Sequence, residues 1–164
     1  MMELKKILSR TTFTGNRVSL VPHKGSITDF FPYFSEQDIF YMFGIKPPYT
    51  DAVIRKKDRE PWSAISDIIC NETQTLCGFI HFVIHHDINR EISVHGSGIN
   101  KSIGHVRSYV DGWNLAIDVC KNDLICSKIS SYCNQENRNA INILLKTRFF
   151  ETSRNLEIIT FNYM

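Results

Sequence analysis

The sequence predicts a single α+β domain: a mixed, mostly antiparallel sheet flanked by helices on both faces. Three observations carry that prediction. Between Trp62 and Ile99, three runs of strand character follow one another through short polar turns, and strands joined so closely pair antiparallel. Beyond them, two amphipathic helices alternate with single strands, which puts a parallel crossover into the same sheet. The chain has 164 residues, and at roughly 100–200 residues per domain this is one domain spanning 1–164.

Residues 1–15 show no clear period. Arg17-Val18-Ser19-Leu20-Val21 alternates polar and apolar and stops at Pro22, a short strand. The segment 27–43 is rich in aromatic residues, and Pro32 together with Ser35-Glu36-Gln37-Asp38 divides it into two short helices. Lys46-Pro47-Pro48-Tyr49 is a rigid loop, since both prolines fix φ and offer no backbone donor. Thr50 or Asp51 caps a helix running toward Glu60 and stopped by Pro61. Its charged run 55–60 mixes both signs and reads as a solvated face.

Strands follow at 62–70, 76–85 and 91–99. In the last of these Glu91, Ser93, His95 and Ser97 share one face, and Ile92 and Val94 share the other. Val106, Tyr109, Val110, Trp113, Ala116, Ile117 and Cys120 form one apolar stripe of a helix. Gly112 costs that helix about 1 kcal/mol against Ala, so packing must hold it. Strand character returns at 125–132. A helix over 137–149 turns Ala140, Ile141, Leu144, Leu145 and Phe149 inward, and 156–161 closes the sheet.

Composition excludes several classes of function. Hydrophobic residues make up 43% and charged residues 22%, which fits a packed core rather than a disordered chain. Nineteen Lys+Arg against seventeen Asp+Glu leave a formal charge of +2, too little for a dedicated nucleic-acid face. The longest apolar runs, Leu76–Ile80 and Ile143–Leu145, fall far short of the ~18 residues that cross a bilayer. Five cysteines at irregular spacing, without a secretory signal, read as reduced thiols, so a cytoplasmic protein is expected.

Two features carry chemistry. The first is the strand 91–99 entering Asn100-Lys101-Ser102-Ile103-Gly104-His105 just before a helix. A helix start offers free N–H groups and the positive end of the macrodipole to a phosphate, while Lys101 adds charge and Gly104 permits close approach. The second is Asn137-x-x-Ala140-x-x-x-Leu144 followed by Lys146-x-x-Phe149, on the second helix.

On these residues the chain resembles the GCN5-related N-acetyltransferase superfamily, most closely its ribosomal-protein-acetyltransferase-like branch. The branch's C-terminal signature is matched at Asn137, Ala140, Leu144, Lys146 and Phe149, with Arg148 standing where the family has Gly. The family's pyrophosphate motif corresponds to Lys101-Ser102-Ile103-Gly104-His105-Val106, where one glycine survives. The resemblance covers about residues 15–163 and rests on the order and spacing of degenerate motifs.

The resemblance implies acetyl-CoA as co-substrate, lying in a gap where strand 91–99 splays from strand 125–132. Backbone N–H groups of Lys101, Ser102, Ile103, Gly104, His105 and Val106 would cradle the pyrophosphate. Asn137 and Ala140 would meet the pantetheine arm. Backbone N–H groups over Gly96, Ser97, Gly98 and Ile99 would polarise the thioester carbonyl. The acceptor would be a primary amine, on a protein N-terminus, a lysine or a small molecule, attacking directly in a ternary complex. No metal, nucleic-acid or membrane partner is expected, and a homodimer is compatible with the reading.

Amine transfer needs a base and a proton for the leaving thiolate. His95, with a reference pKa near 6.5, is the preferred base, and Glu91, about 13 Å away along the same face at ~3.3 Å per residue, is the second candidate. The family's usual acid, a Tyr seven residues after the Asn, is Leu144 here, which leaves Tyr109, Tyr132 and Ser97 as candidates. The alternative is a non-catalytic acyl-CoA-binding or protein-interaction module on the same fold. His81, His85 and His86 lie close in sequence, and His95 could pair with them across the hairpin. But no Cys-x-x-Cys exists and Cys120, Cys126 and Cys133 fit no zinc spacing, so the four histidines read as polar strand-face residues. Cys77 and Cys120 read as core residues.

Overall fold

The computed structural model describes residues 2–99 and 103–164, with side chains omitted for 103–105. Its sheet contains, in chain order, β1 (Phe13–Thr14), β2 (Val18–Pro22), β3 (Ser63–Cys70), β4 (Leu76–His86), β5 (Glu91–Gly98), β6 (Lys128–Asn134), β7 (Phe149–Arg154) and β8 (Ile158–Tyr163). Their spatial order is β1-β2-β3-β4-β5-β6-β8-β7. Every neighbouring pair is antiparallel except β5 and β6, which are parallel because α4 (Ile103–Asp118) joins them.

Alternate residues of the central strands feed two cores. On β4, Ile80, Phe82 and Ile84 point into a core shared with α1 (Glu3–Leu8), α4 and α5 (Arg138–Lys146). Phe79 points to the opposite face, under the 3-10 helix Ile27–Tyr33, α2 (Glu36–Phe43) and α3 (Asp51–Asp58). The aromatic segment is thus a lid packed on the sheet: Phe30 lies 4.3 Å from Phe79, centroid to centroid.

Local chemistry sets most boundaries. Ser35 and Asp38 form a reciprocal capping box on α2, which ends at Gly44 with φ 69°. Thr50 caps α3, accepting from the Val53 N–H at 3.3 Å. Gly112 lets α4 press on β3, because a Cβ there would sit 2.7 Å from an Ile68 methyl.

Several sequence expectations are corrected. The stretch 1–15, read as patternless, holds α1 and β1. The first turn of α1 is capped from far away, the Glu3 and Leu4 N–H groups donating to the Asp87 carboxylate at 2.9 and 3.0 Å. The helix expected over 137–149 stops at Lys146, since Arg148 takes φ 67° and Phe149 already belongs to β7. A glycine would adopt that left-handed conformation without strain, so the departure at Arg148 retains the turn at about 1–2 kcal/mol.

The sixth strand begins at Lys128 rather than Ile125, which is exposed at φ 49° after a π-helical turn, Val119–Asp123, extends α4. The last strand runs 158–163 rather than 156–161, and Leu156 is exposed. Val106, expected on the buried stripe of α4, is half-exposed and lines the groove between α4 and α5.

Candidate active site

Strands β5 and β6 pair only over Glu91–Lys128, Ile92–Ile129 and Ser93–Ser130, and then part. Ser131 closes the apex of this fork by donating its hydroxyl to the Val94 carbonyl at 2.7 Å. Val94 therefore presents its backbone to β6, whereas the Ile99 N–H turns back to the Cys77 carbonyl of β4. Backbone groups alternate sides along a strand, so the N–H groups of Gly96 and Gly98 face into the fork, where β6 no longer meets them.

A cavity of about 360 Å³ fills the fork. Its floor is His95 to Gly98, its walls are Tyr109 and Trp113 of α4 and Ser131 to Asn134 of β6, and its far end is Asn137, Ala140, Ile143 and Leu144. On the lid side it is bordered by Tyr33, Phe34, Asp38, Tyr41 and Met42. A groove of about 640 Å³ continues from it between α4 and α5, past Val106, Asn139, Asn142, Lys146 and Thr147.

Gly96 is glycine for a packing reason. An added Cβ would meet the Phe79 carbonyl at 2.8 Å and the Tyr109 hydroxyl at 3.3 Å, whereas at Gly98 it would make ordinary contacts from 3.5 Å. Asn137 is the N-cap of α5, its Oδ1 accepting from the Ala140 N–H at 3.1 Å, and both residues line the cavity and the groove. Tyr41 ties the lid to β6: the Asn134 amide donates to its hydroxyl at 3.0 Å and the Tyr132 hydroxyl to its carbonyl at 3.3 Å.

His95 is buried on the lid side of β5. Its ring lies 4.0 Å from Tyr132 and 6.4 Å from His81, its partner across β4, and Ser93 beside it is also buried. Burial, and then the nearby His85 charge, push the His95 pKa down to about 3, and the Tyr132 backbone carbonyl acts the other way by accepting from the ring. His81 is likewise driven down to about 3 by burial, then by the His95 charge.

Glu91 sits at the paired end of the fork and lines neither cavity nor groove. Of the acid candidates, Tyr109, Tyr132 and Ser97 all border the cavity, and burial raises the pKa of both phenols. Burial likewise raises the Cys133 thiol, which lines the cavity, to about 11, so it rests as a neutral thiol.

Ile103, Gly104 and His105 open α4 and Val106 follows in its first turn, while Lys101 and Ser102 lie outside the described residues. Ile99 packs on the lid core. Sequence reasoning missed Asp38 and Tyr41, whose approach to the fork depends on lid packing, and Lys146 at the groove, although its motif spacing was visible. Among the described residues, no three His, Cys, Asp or Glu side chains gather in a group able to hold a metal, and no helix is long and apolar enough to cross a membrane.

No family model and no curated protein matches the sequence. Solved structures do. A GCN5-related N-acetyltransferase from Brucella melitensis superposes with a TM-score of 0.69 at 16% identity, over 94% of this chain and 79% of that one. An acetyltransferase from Agrobacterium tumefaciens gives 0.66 at 17% identity, over 95% of each chain. A Vibrio cholerae protein assigned as a ribosomal-protein-serine acetyltransferase gives 0.65 at 12% identity, over 95% of this chain and 98% of that one. The forked strands, the two-sided helix layers and these superpositions lead to one conclusion: the chain has the fold of the GCN5-related N-acetyltransferases.

Proposed function

We propose that the chain is an N-acetyltransferase that moves an acetyl group from acetyl-CoA to a primary amine by direct attack within the fork. The observation that carries this reading is the parting of β5 and β6, which leaves the N–H groups of Gly96 and Gly98 facing a cavity whose floor includes His95. When bound, acetyl-CoA supplies the activated acyl carbon and a thiol leaving group.

The walls suit that molecule. The groove alternates amide and hydroxyl side chains (Asn137, Asn139, Asn142, Thr147) with apolar ones (Val106, Val110, Ile143), matching the amides and methylenes of a pantetheine arm. Lys146 and the start of α4 offer positive charge to its phosphates, with Lys101, Ser102, Ile103, Gly104 and His105 expected beside them. The N–H groups of Gly96 and Gly98 would polarise the thioester carbonyl. His95 would handle the transferred protons, and the position of Glu91 leaves it outside this chemistry.

The acceptor would enter under the lid. Tyr33, Phe34 and Tyr41 offer apolar surface there, and the Asp38 carboxylate favours a cationic amine. A spermidine N-acetyltransferase chimera from Vibrio cholerae shares the fold, with a TM-score of 0.66 at 12% identity, over 88% of this chain and 95% of that one, so polyamines belong in the screen. Thiol release from acetyl-CoA, measured with spermidine, lysine-containing peptides and free peptide N-termini, tests the reading. Release that depends on one of these amines supports it, and tight binding without release under any of them sinks it. The second reading, a non-catalytic acyl-CoA-binding or protein-interaction module, is favoured by one observation: the buried Leu144 occupies the place of the family's proton donor.

A further inference from the structure

A second cavity, of about 190 Å³, lies where the lid meets α1 and the strands β3 and β4. Its polar lining is Lys5, His23, Lys57, Asp58, Ser63 and His81. His81 is the unusual member. It is 2% exposed, its Nδ1 lies 3.1 Å from the Met42 carbonyl of α2, and among the described residues its Nε2 has no hydrogen-bond partner. A carbonyl can only accept, so Nδ1 carries the proton of the neutral ring and Nε2 is a bare acceptor. Burial, the His95 charge and the ammonium groups of Lys57 and Lys5 all oppose a second proton on that ring.

Around this acceptor stand donors. Lys5 Nζ gives two N–H groups to the carbonyls of Glu60, at 2.6 Å, and Ser63, and Lys57 Nζ gives one to the Glu60 carboxylate at 2.6 Å. An ammonium has three N–H groups, so three remain between the two lysines. The neighbouring acids are already engaged. The Glu60 carboxylate also accepts from the Ser63 hydroxyl, and His23 is paired with Asp67 at 3.0 Å and Asp29 at 3.2 Å. The oxygens of Asp58 accept from the Ser26 hydroxyl at 2.8 Å and the Ile27 N–H at 2.9 Å. Lys5 bonds no carboxylate among the described residues.

We propose that this cavity binds a small oxyanion that carries its own hydrogen, with inorganic phosphate as the probe. The P–OH group donates to His81 Nε2, and the other oxygens accept from Lys5 and Lys57. Both forms of phosphate at neutral pH carry that hydrogen. Sulfate is similar in size and charge but has none, so it meets the bare nitrogen with a lone pair, and the site should select phosphate over sulfate. Occupancy also has a mechanical consequence. Lys57 belongs to the lid helix α3, whereas Lys5 belongs to α1 and His81 to β4, so the ion fastens the lid to the body of the domain. The site does not depend on the acetyltransferase reading above.

Long-range nitrogen–proton spectra of the full chain read His81 directly. Nε2 should be the unprotonated nitrogen, and potassium phosphate should shift it upfield with saturation in the millimolar range. Potassium sulfate at equal ionic strength should leave it in place. An equal response to both salts, as water in the cavity would give, overturns the site, and so does no saturable response to phosphate. Lys5→Met should weaken phosphate binding about tenfold, because a hydrogen bond to a charged group is lost. The thermal midpoint of the wild type should rise more in phosphate than in sulfate, by mass action on the folded state. His81→Asn keeps a side-chain donor for the Met42 carbonyl and deletes the Nε2 acceptor, so this difference between the salts should vanish. A difference that survives in His81→Asn contradicts the assignment, and the wild-type spectra decide it if the variants do not fold.

Discussion

Asn137 does two things at one position, and substitutions can separate them. Its Oδ1 caps α5 while its side chain borders the cavity, leaving the Nδ2 donor for a ligand amide. Asn137→Ala should therefore lose about 1 kcal/mol of stability along with affinity for acetyl-CoA. Asn137→Ser keeps a capping oxygen and should lower affinity while leaving the urea midpoint nearly unchanged. If Ser restores both, the residue is a cap alone. Gly96 is constrained by its neighbours, since a methyl group there collides with the Phe79 carbonyl and crowds the Tyr109 hydroxyl. Gly96→Ala should destabilise the fold by about 1–3 kcal/mol in denaturant unfolding, a cost that an open, ligand-only glycine would not show.

At the scale of elements, the strands and caps were legible where local chemistry decides. Alternation marked β2 and β5, polar turns marked β3 and β4 between them, Thr50 read as a helix cap, and the helix read from Asn137 opens there. What stayed hidden depends on distant partners. Asp87 caps α1 from more than eighty residues away, and β7 is an exposed edge strand after Phe149, with no apolar alternation to betray it. Gly112 shows how tertiary contact reverses a propensity. In an exposed helix Gly112→Ala would add about 1 kcal/mol of stability. Here the new methyl would press on Ile68 at 2.7–2.9 Å, so the substitution should lower the urea midpoint, and a raised midpoint would mean that α4 stands off the sheet.

Over the whole molecule, buried imidazoles shape the response to pH. His81 and His95 stay neutral in the fold down to about pH 3, whereas in the unfolded chain they gain protons below about 6.5. The unfolded state thus binds more protons between these limits, and stability should fall as pH is lowered from about 6.5 toward 3. His23 has the opposite sign. Its hydrogen bond to Asp67 raises its pKa, so its contribution is complete below about 6.5 and is lost as pH rises through its folded value. Urea midpoints across pH should show the acid-side slope, and His81→Gln should reduce that slope by about one proton.

The fork was legible only as an order of degenerate motifs. Nothing in the spacing of His85, Ser93 and His95 announces that a bulge brings them together. In the proposed function the parted ends of β5 and β6 receive an acyl-CoA. Isothermal titration with acetyl-CoA, with free CoA and buffer as controls, tests it most directly. Saturable binding in the micromolar range, weakened by Asn137→Ser, is the predicted result, and no heat of binding up to millimolar acetyl-CoA would contradict it.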